Sequence, residues 1–205
     1  MGVFMGKSIE NKLEKENKLL TTAFNLFIQK GVDNTSIQDI ADNAGIGKGT
    51  FYLYFKDKYE IRDKVIADYS QKLFSKALSS LEKSYINNFE DQIIFIINYI
   101  LDELTKNKIV LKLVSKNLSL GLYNNTISKI SNIKNDNESI YSKFVKKLNE
   151  NNINLENPKV TLSTIIELVS ATGFNSILYD NPLPIEEYKP YLYSIIRNIL
   201  KEKLD

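Results

Sequence analysis

Residues 35–58 read TSIQDIADNAGIGKGTFYLYFKDK, two short helical patterns on either side of a glycine. Ile37, Ile40, Ala41 and Ala44 stand at i, i+3, i+4 and i+7, one apolar face of a helix. Gly45 follows, and a sharp helix-to-helix turn needs a residue at positive φ. A second helix is expected over 48–55, polar and aromatic in a way that a helix made only for a core is not. Two short helices meeting steeply across a glycine turn make a helix-turn-helix, whose second helix enters the major groove of DNA.

At about 100° per residue, Phe51 and Phe55 lie about 40° apart and mark the buried side of the second helix. Gly49, Thr50, Tyr52 and Leu53 point away from that side, toward a groove. Lys48 and Tyr54 flank them, where a duplex presents its phosphates. Gly49 costs the helix about 1 kcal/mol relative to Ala, and its missing side chain lets the backbone approach base edges. Ser36 reads as the N-cap of the first helix, with Asp39 three residues on. Thr35 and Ser36 are also assigned to phosphates. Asp57 and Glu60 resemble a capping box for the next helix. Lys58 then sits at a helix N-terminus, where its charge and nearby N–H groups meet a phosphate.

Gly31, the Thr35-Ser36 pair, Ile40-Ala41, Ala44-Gly45, and the run Lys48-Gly49-Thr50-Phe51-Tyr52-Leu53-Tyr54-Phe55 followed by Lys58 resemble the DNA-binding domain of the TetR family of transcriptional regulators. The resemblance covers residues 19–61. It departs at Gly47, where the family usually has a serine. A glycine N-cap is only about a few tenths of a kcal/mol poorer, but a hydroxyl contact to phosphate is lost. Leu53 replaces a polar or aromatic residue and leaves an apolar groove contact, such as one to a thymine methyl. The stretch Gly45 to Thr50 is no phosphate loop: Gly47-Lys48 is followed by glycine, and a helix precedes it where a strand is needed. A plain helical hairpin does not fit either, because Tyr52 and Tyr54 cannot both join Phe51 and Phe55 in a core.

Apolar stripes of helical period recur along the chain, and glycine and proline are scarce, so the fold class is all-α. A net charge of +2 makes DNA binding a matter of local charge placement rather than bulk attraction. There is neither cysteine nor histidine, which excludes disulfides, thiol catalysis, Cys/His zinc sites, Ser-His-Asp triads and di-iron sites built on histidine. No metal, cofactor or catalytic residue is expected. An enzyme would need an isolated acid pair, and none stands out: Asp102-Glu103 and Glu186-Glu187 are adjacent, so within each pair the side chains diverge on a helix. The N-terminus has no apolar signal segment. The longest dense apolar run, 93–101, is too short for a bilayer and contains Asn98. A cytoplasmic protein without a membrane partner is expected.

Residues 1–57 are assigned to the helix-turn-helix domain and 58–205 to a helical ligand-binding and dimerisation domain. The first ten residues are expected to fray. A supporting helix with Leu20, Ala23, Phe24 and Phe27 on one face then ends at Gly31. A long helix runs over 58–83 and joins the two domains without a Pro/Gly/Ser-rich linker. Further helices are expected over 89–106, 108–120, 123–133 and 140–149, with a polar turn at 134–138. The helix at 89–106 is apolar nearly all round its centre and is expected to be buried on most sides. The last two helices, 159–179 and 185–203, reverse at Asn181-Pro182-Leu183-Pro184, and Ser170 to Gly173 permits close helix approach. Two such helices from each of two copies make a four-helix dimer contact, the location that the family resemblance also implies.

In layout alone, residues 60–180 resemble the ligand-binding domain of these regulators. Tyr99, Glu103, Tyr141, Phe144, Glu167 and Phe174 are the pocket candidates. Glu103 and Glu167 point to a cationic, lipophilic effector. The function expected is a ligand-responsive regulator, most often a repressor in this family, acting as a homodimer on a near-palindromic double-stranded operator. The rival reading is a small-molecule-binding helical protein that no longer binds DNA.

Overall fold

The computed structural model describes residues 2–114 and 140–201, with side chains from residue 9 on. The described residues form helices and no strand: α1 (Gly2–Lys30), α2 (Ile37–Ala44), α3 (Lys48–Phe51), α4 (Lys58–Glu82), α5 (Phe89–Lys106), α6 (Lys108–Val114), α7 (Ile140–Glu150), α8 (Pro158–Tyr179) and α9 (Ile185–Lys201). The expected helix over 123–133, the turn at 134–138 and the end of the helix over 108–120 lie outside the described residues. The chain divides into two compact units, 1–68 and 69–205, and the division falls within α4.

In the first unit α1 packs on α2, and α2 on α3. Leu19, Ala23, Phe27, Ile40, Ala41, Phe51, Phe55 and Ile61 form its core. Helix α1 begins at Gly2, so the expected fraying of the first ten residues is not seen. It ends where Gly31 takes φ +82° and donates its amide to the Phe27 carbonyl at 3.0 Å, the left-handed stop that glycine favours.

In the second unit α8 packs against α5, α6, α7 and α9. Asn157 caps α8 by accepting from the Val160 amide at 3.2 Å, and Pro158 opens it, a position where a missing N–H costs nothing. By length and composition α8 is the one described helix able to span a membrane, which the expectation built on residues 93–101 overlooked. Its neighbours account for only part of its apolar surface: Val160 and Tyr179 stay more than half exposed. Gly173 lets α8 approach α5, since a Cβ there would lie 2.7 Å from Leu101 Cδ2.

Polar bonds join α5 to α9. Lys189 Nζ donates to Asp102 Oδ1 at 2.5 Å and to Glu186 Oε1 at 2.7 Å. Tyr193 donates to Asn98 Oδ1 at 2.7 Å, and Arg197 to Asp91 Oδ1 at 2.5 Å. Burial alone disfavours the Lys189 ammonium, but its bonds to the two carboxylates outweigh this and hold it charged beyond the usual lysine range. Burial, then the charges of Asp102 and Glu186, push the Tyr193 phenol well up, so it stays a donor.

Helix α5 is less enclosed than expected. Ile96, Ile97 and Leu101 are buried, but Ile93, Ile94, Phe95 and Ile100 are only half-buried. A cavity accounts for two of these, since Ile93 and Ile100 line it.

Candidate functional site

The start of α2 is fixed by a closed capping box. Ser36 Oγ accepts from the Asp39 amide at 3.0 Å, and Asp39 Oδ2 accepts from the Ser36 amide and hydroxyl at 2.8 Å each. Lys30 Nζ stands 3.0 Å from the same oxygen. The Ser36 amide first, then Lys30 and the Ser36 hydroxyl, lower the Asp39 carboxyl from the ordinary 3.8 to about 2. A depressed carboxyl stabilises the fold above its unfolded value and loses that contribution as pH falls through the folded one. The Asp39 side-chain carbon followed by NMR is therefore expected to titrate near pH 2. A midpoint at the ordinary value would mean the box is open in solution.

Thr35 corrects an expectation. It is 1% exposed, and its hydroxyl donates to the Gly31 carbonyl at 2.7 Å. It ties the end of α1 to the start of α2 and cannot offer that hydroxyl to a phosphate. Gly45, at φ +63°, closes α2, and the Ile46 amide returns to the Ala41 carbonyl at 2.9 Å.

Helix α3 is shorter than the expected 48–55. It spans 48–51 and tightens into a turn in which Leu53 and Tyr54 donate to Thr50 and Phe51, three residues back, at 3.1 and 2.9 Å. Gly47 gives no side-chain cap, and Gly49 adds backbone freedom that a helix must freeze. The two sides of the stretch nevertheless separate as the wheel requires. Phe51 and Phe55 are buried, with ring centroids 5.7 Å apart. Tyr52 is 50% and Leu53 78% exposed, and the Tyr52 ring stands edge-on to Phe51. Lys48 and Gly49 are exposed, Thr50 and Tyr54 half-buried. Beyond Gly49 the space is open, with nothing within 4 Å of an added Cβ.

Asp57 caps α4 by accepting from the Tyr59 and Glu60 amides at 2.8 and 2.9 Å. The expected box is shifted: the Glu60 carboxylate accepts from the Lys56 amide at 2.6 Å, one residue before the cap. Lys58 is half-buried, donates to the Asp33 carbonyl at 3.2 Å and lies 5.7 Å from the Tyr59 ring centre. Arg62 sits on the same ring at 5.1 Å. This Lys58-Tyr59-Arg62 group, of which only Tyr59 is exposed, was not foreseen; its signal was an aromatic between two cations at a helix start.

The second unit holds a cavity of about 370 Å³ walled by α4, α5, α7 and α8, within the range typical of small-molecule sites. Of the six pocket candidates only Phe144 lines it. Phe174 lines a separate gap of about 10 Å³ and stacks edge-on against Tyr179. Tyr99 packs on the Ala77–Leu81–Ile96 cluster. Glu103 is paired with Lys106 at 2.5 Å. Tyr141 is half-buried and Glu167 exposed, and neither is part of the wall. The acids expected to select a cationic effector are therefore not on the cavity.

The model of the bacterial regulatory proteins of the tetR family matches residues 19–65, the segment just described. Residues 19–65 belong to the tetR family of bacterial regulatory proteins. Among the relatives, the regulator YvdT of Bacillus subtilis is 27% identical over 193 residues, 91% of this chain and 95% of YvdT. YuxN of the same organism is 41% identical over 66 residues, but that match spans only 32% of this chain and 23% of YuxN. Both are described as uncharacterized HTH-type transcriptional regulators. Among solved structures, RolR in complex with its ligand resorcinol superposes with a TM-score of 0.59 at 15% identity, covering 96% of this chain and 98% of RolR. That likeness shows a shared fold that continues beyond residue 65.

Proposed function

We propose that the protein is a ligand-responsive repressor that binds a near-palindromic operator as a homodimer in the cytoplasm. The observation that carries the reading is the two-sided segment after Gly47. Phe51 and Phe55 anchor it, while Tyr52 and Leu53 stand in solvent beside Lys48 and the bare backbone of Gly49. Large apolar side chains gain nothing from water; a groove lined with base edges and thymine methyls gives them a surface. In this reading Lys48, Gly49, Thr50, Tyr52 and Leu53 meet the groove or its edge. Ser36, Tyr54 and Lys58 hold phosphates, with the exposed Ser36 hydroxyl turning from Asp39, and Lys58 from the Asp33 carbonyl, to a phosphate oxygen. Residues 1–57, with Lys58 just beyond them, carry these contacts, and 58–205 the effector and dimer functions.

Dimerisation draws support from the last two helices. Val160 and Tyr179 on α8 and Tyr191 and Ile195 on α9 are between 43% and 64% exposed. Large apolar side chains left in water gain from being covered, and a second copy supplies the cover. RolR's resorcinol complex favours a small-molecule effector, and the cavity is its natural seat. An effector wedged beside α4 changes the separation of two reading heads whose spacing the duplex fixes.

The test is fluorescence polarisation with the DNA upstream of the protein's own coding sequence. Tyr52→Ala is expected to weaken binding by about 1–3 kcal/mol while circular dichroism stays unchanged. Undiminished affinity would remove Tyr52 from the interface.

A further inference from the structure

We infer that the cavity of the second unit takes a molecule with an apolar body and an anionic end, a carboxylate or a phosphate. The inference rests on reading this cavity as the effector site.

The wall is apolar: Ile93, Ile97 and Ile100 of α5, Phe144 of α7, and Ile165 and Val169 of α8. Ser170 adds one polar atom, a buried hydroxyl without a hydrogen-bond partner among the described residues. A buried polar group left unpaired is costly, and a ligand oxygen would satisfy it.

Charge enters from one helix. Lys143, Lys146 and Lys147 line the cavity at i, i+3 and i+4 on α7, so they share a face. Lys147 is neutralised by Glu150, 3.0 Å away. Lys143, which is half-buried, and Lys146 have no ion-pair partner among the described residues. Lysine stems can extend the apolar wall while their ammonium groups collect at its edge. Against them stands Glu82, the last residue of α4, which also lines the cavity and is exposed. The balance is two unpaired cations to one acid. A charged ligand end that leaves water must meet the opposite charge, so the surplus selects an anion. The family of such ligands includes medium-chain carboxylates and their phosphate counterparts.

Four probes with one ten-carbon chain separate the head groups: decanoate, decyl phosphate, decan-1-ol and decyltrimethylammonium. Each is titrated calorimetrically into the full-length protein below its micelle concentration. Both anions are expected to bind at least about tenfold more tightly than the alcohol, with the cation weakest. Comparing the two anions identifies the preferred head group. The Lys143→Met/Lys146→Met variant, which keeps the apolar stems and removes the charges, should bring the anions to within about twofold of the alcohol and shift the alcohol's own affinity far less than the anions'. The inference is overturned if the cation binds as well as the anions, if the preference survives in the double variant, or if no probe binds the folded protein. The regulatory reading has its own readout, the release of bound DNA by decanoate. Anion-selective binding without release would retain this inference and reject the effector role.

Discussion

Phe51→Ala is expected to cost the first unit about 3–5 kcal/mol and to abolish DNA binding, while the second unit stays folded. Phe51 is fully buried and touches the rings of both Phe55 and Tyr52. Its helix has four residues, no side-chain N-cap and a glycine at its second position. Such a segment has almost no stability of its own, because a single helical turn does not repay its nucleation. What holds it is the anchor beneath it. Removing the anchor leaves a cavity and frees Tyr52 and Leu53 from their direction at the same time. The rest of the first unit is small and has little stability in reserve. Amide exchange followed by NMR should show protection lost across α2 and α3 and kept in α5 and α8. Full operator affinity in this variant would mean that the turn after Gly47 is held by something other than Phe51.

The same anchor explains what could be read from sequence and what could not. The ends of α2 were local questions, answered by Ser36 with Asp39 and by Gly45. Helix α5 matched residues 89–106 for the same kind of reason: Asn88 accepts from the Asp91 amide at its start. Helix α3 was different. A wheel assumes regular turns, and the chain leaves regular geometry after Phe51; the two sides survived because Phe51 and Phe55 fix them. Thr35 and Ser36 looked alike as adjacent hydroxyl residues. Only the fold brings the Gly31 carbonyl under Thr35 and turns it inward. The cavity was the least readable feature. Helix α8 mixes apolar and small polar residues with almost no sidedness, so periodicity does not say which side is open. Glu103 looked like a ligand acid, yet Lys106 one turn on already claims it. Lys143 and Lys146 carry no signal of their own in the sequence; only the fold brings α5 and α8 beside them.

At the crossing of α5 and α8, two substitutions are expected to be less damaging together than apart. Leu101→Ala removes a side chain that is 1% exposed, at about 2–5 kcal/mol. Gly173→Ala places a methyl 2.7 Å from Leu101 Cδ2, inside the distance that real contacts respect. Leu101 is 1% exposed and its Cδ2 can give way only into the small gap it shares with Gly173, so the crowding costs about 1–3 kcal/mol, offset by about 1 kcal/mol from alanine's better helix propensity. In the double variant the new methyl enters the space that Leu101 vacated, the overlap disappears and part of the cavity is filled. Urea unfolding of the full-length protein should then give a double variant more stable than the sum of the singles by about 1–2 kcal/mol. The sign is specific to close approach at Gly173: if the helices were merely adjacent there, an alanine would meet nothing and the two effects would add. Additivity to within about 0.5 kcal/mol would therefore separate the helices at this point, and with them the shared wall that α5 and α8 give the cavity.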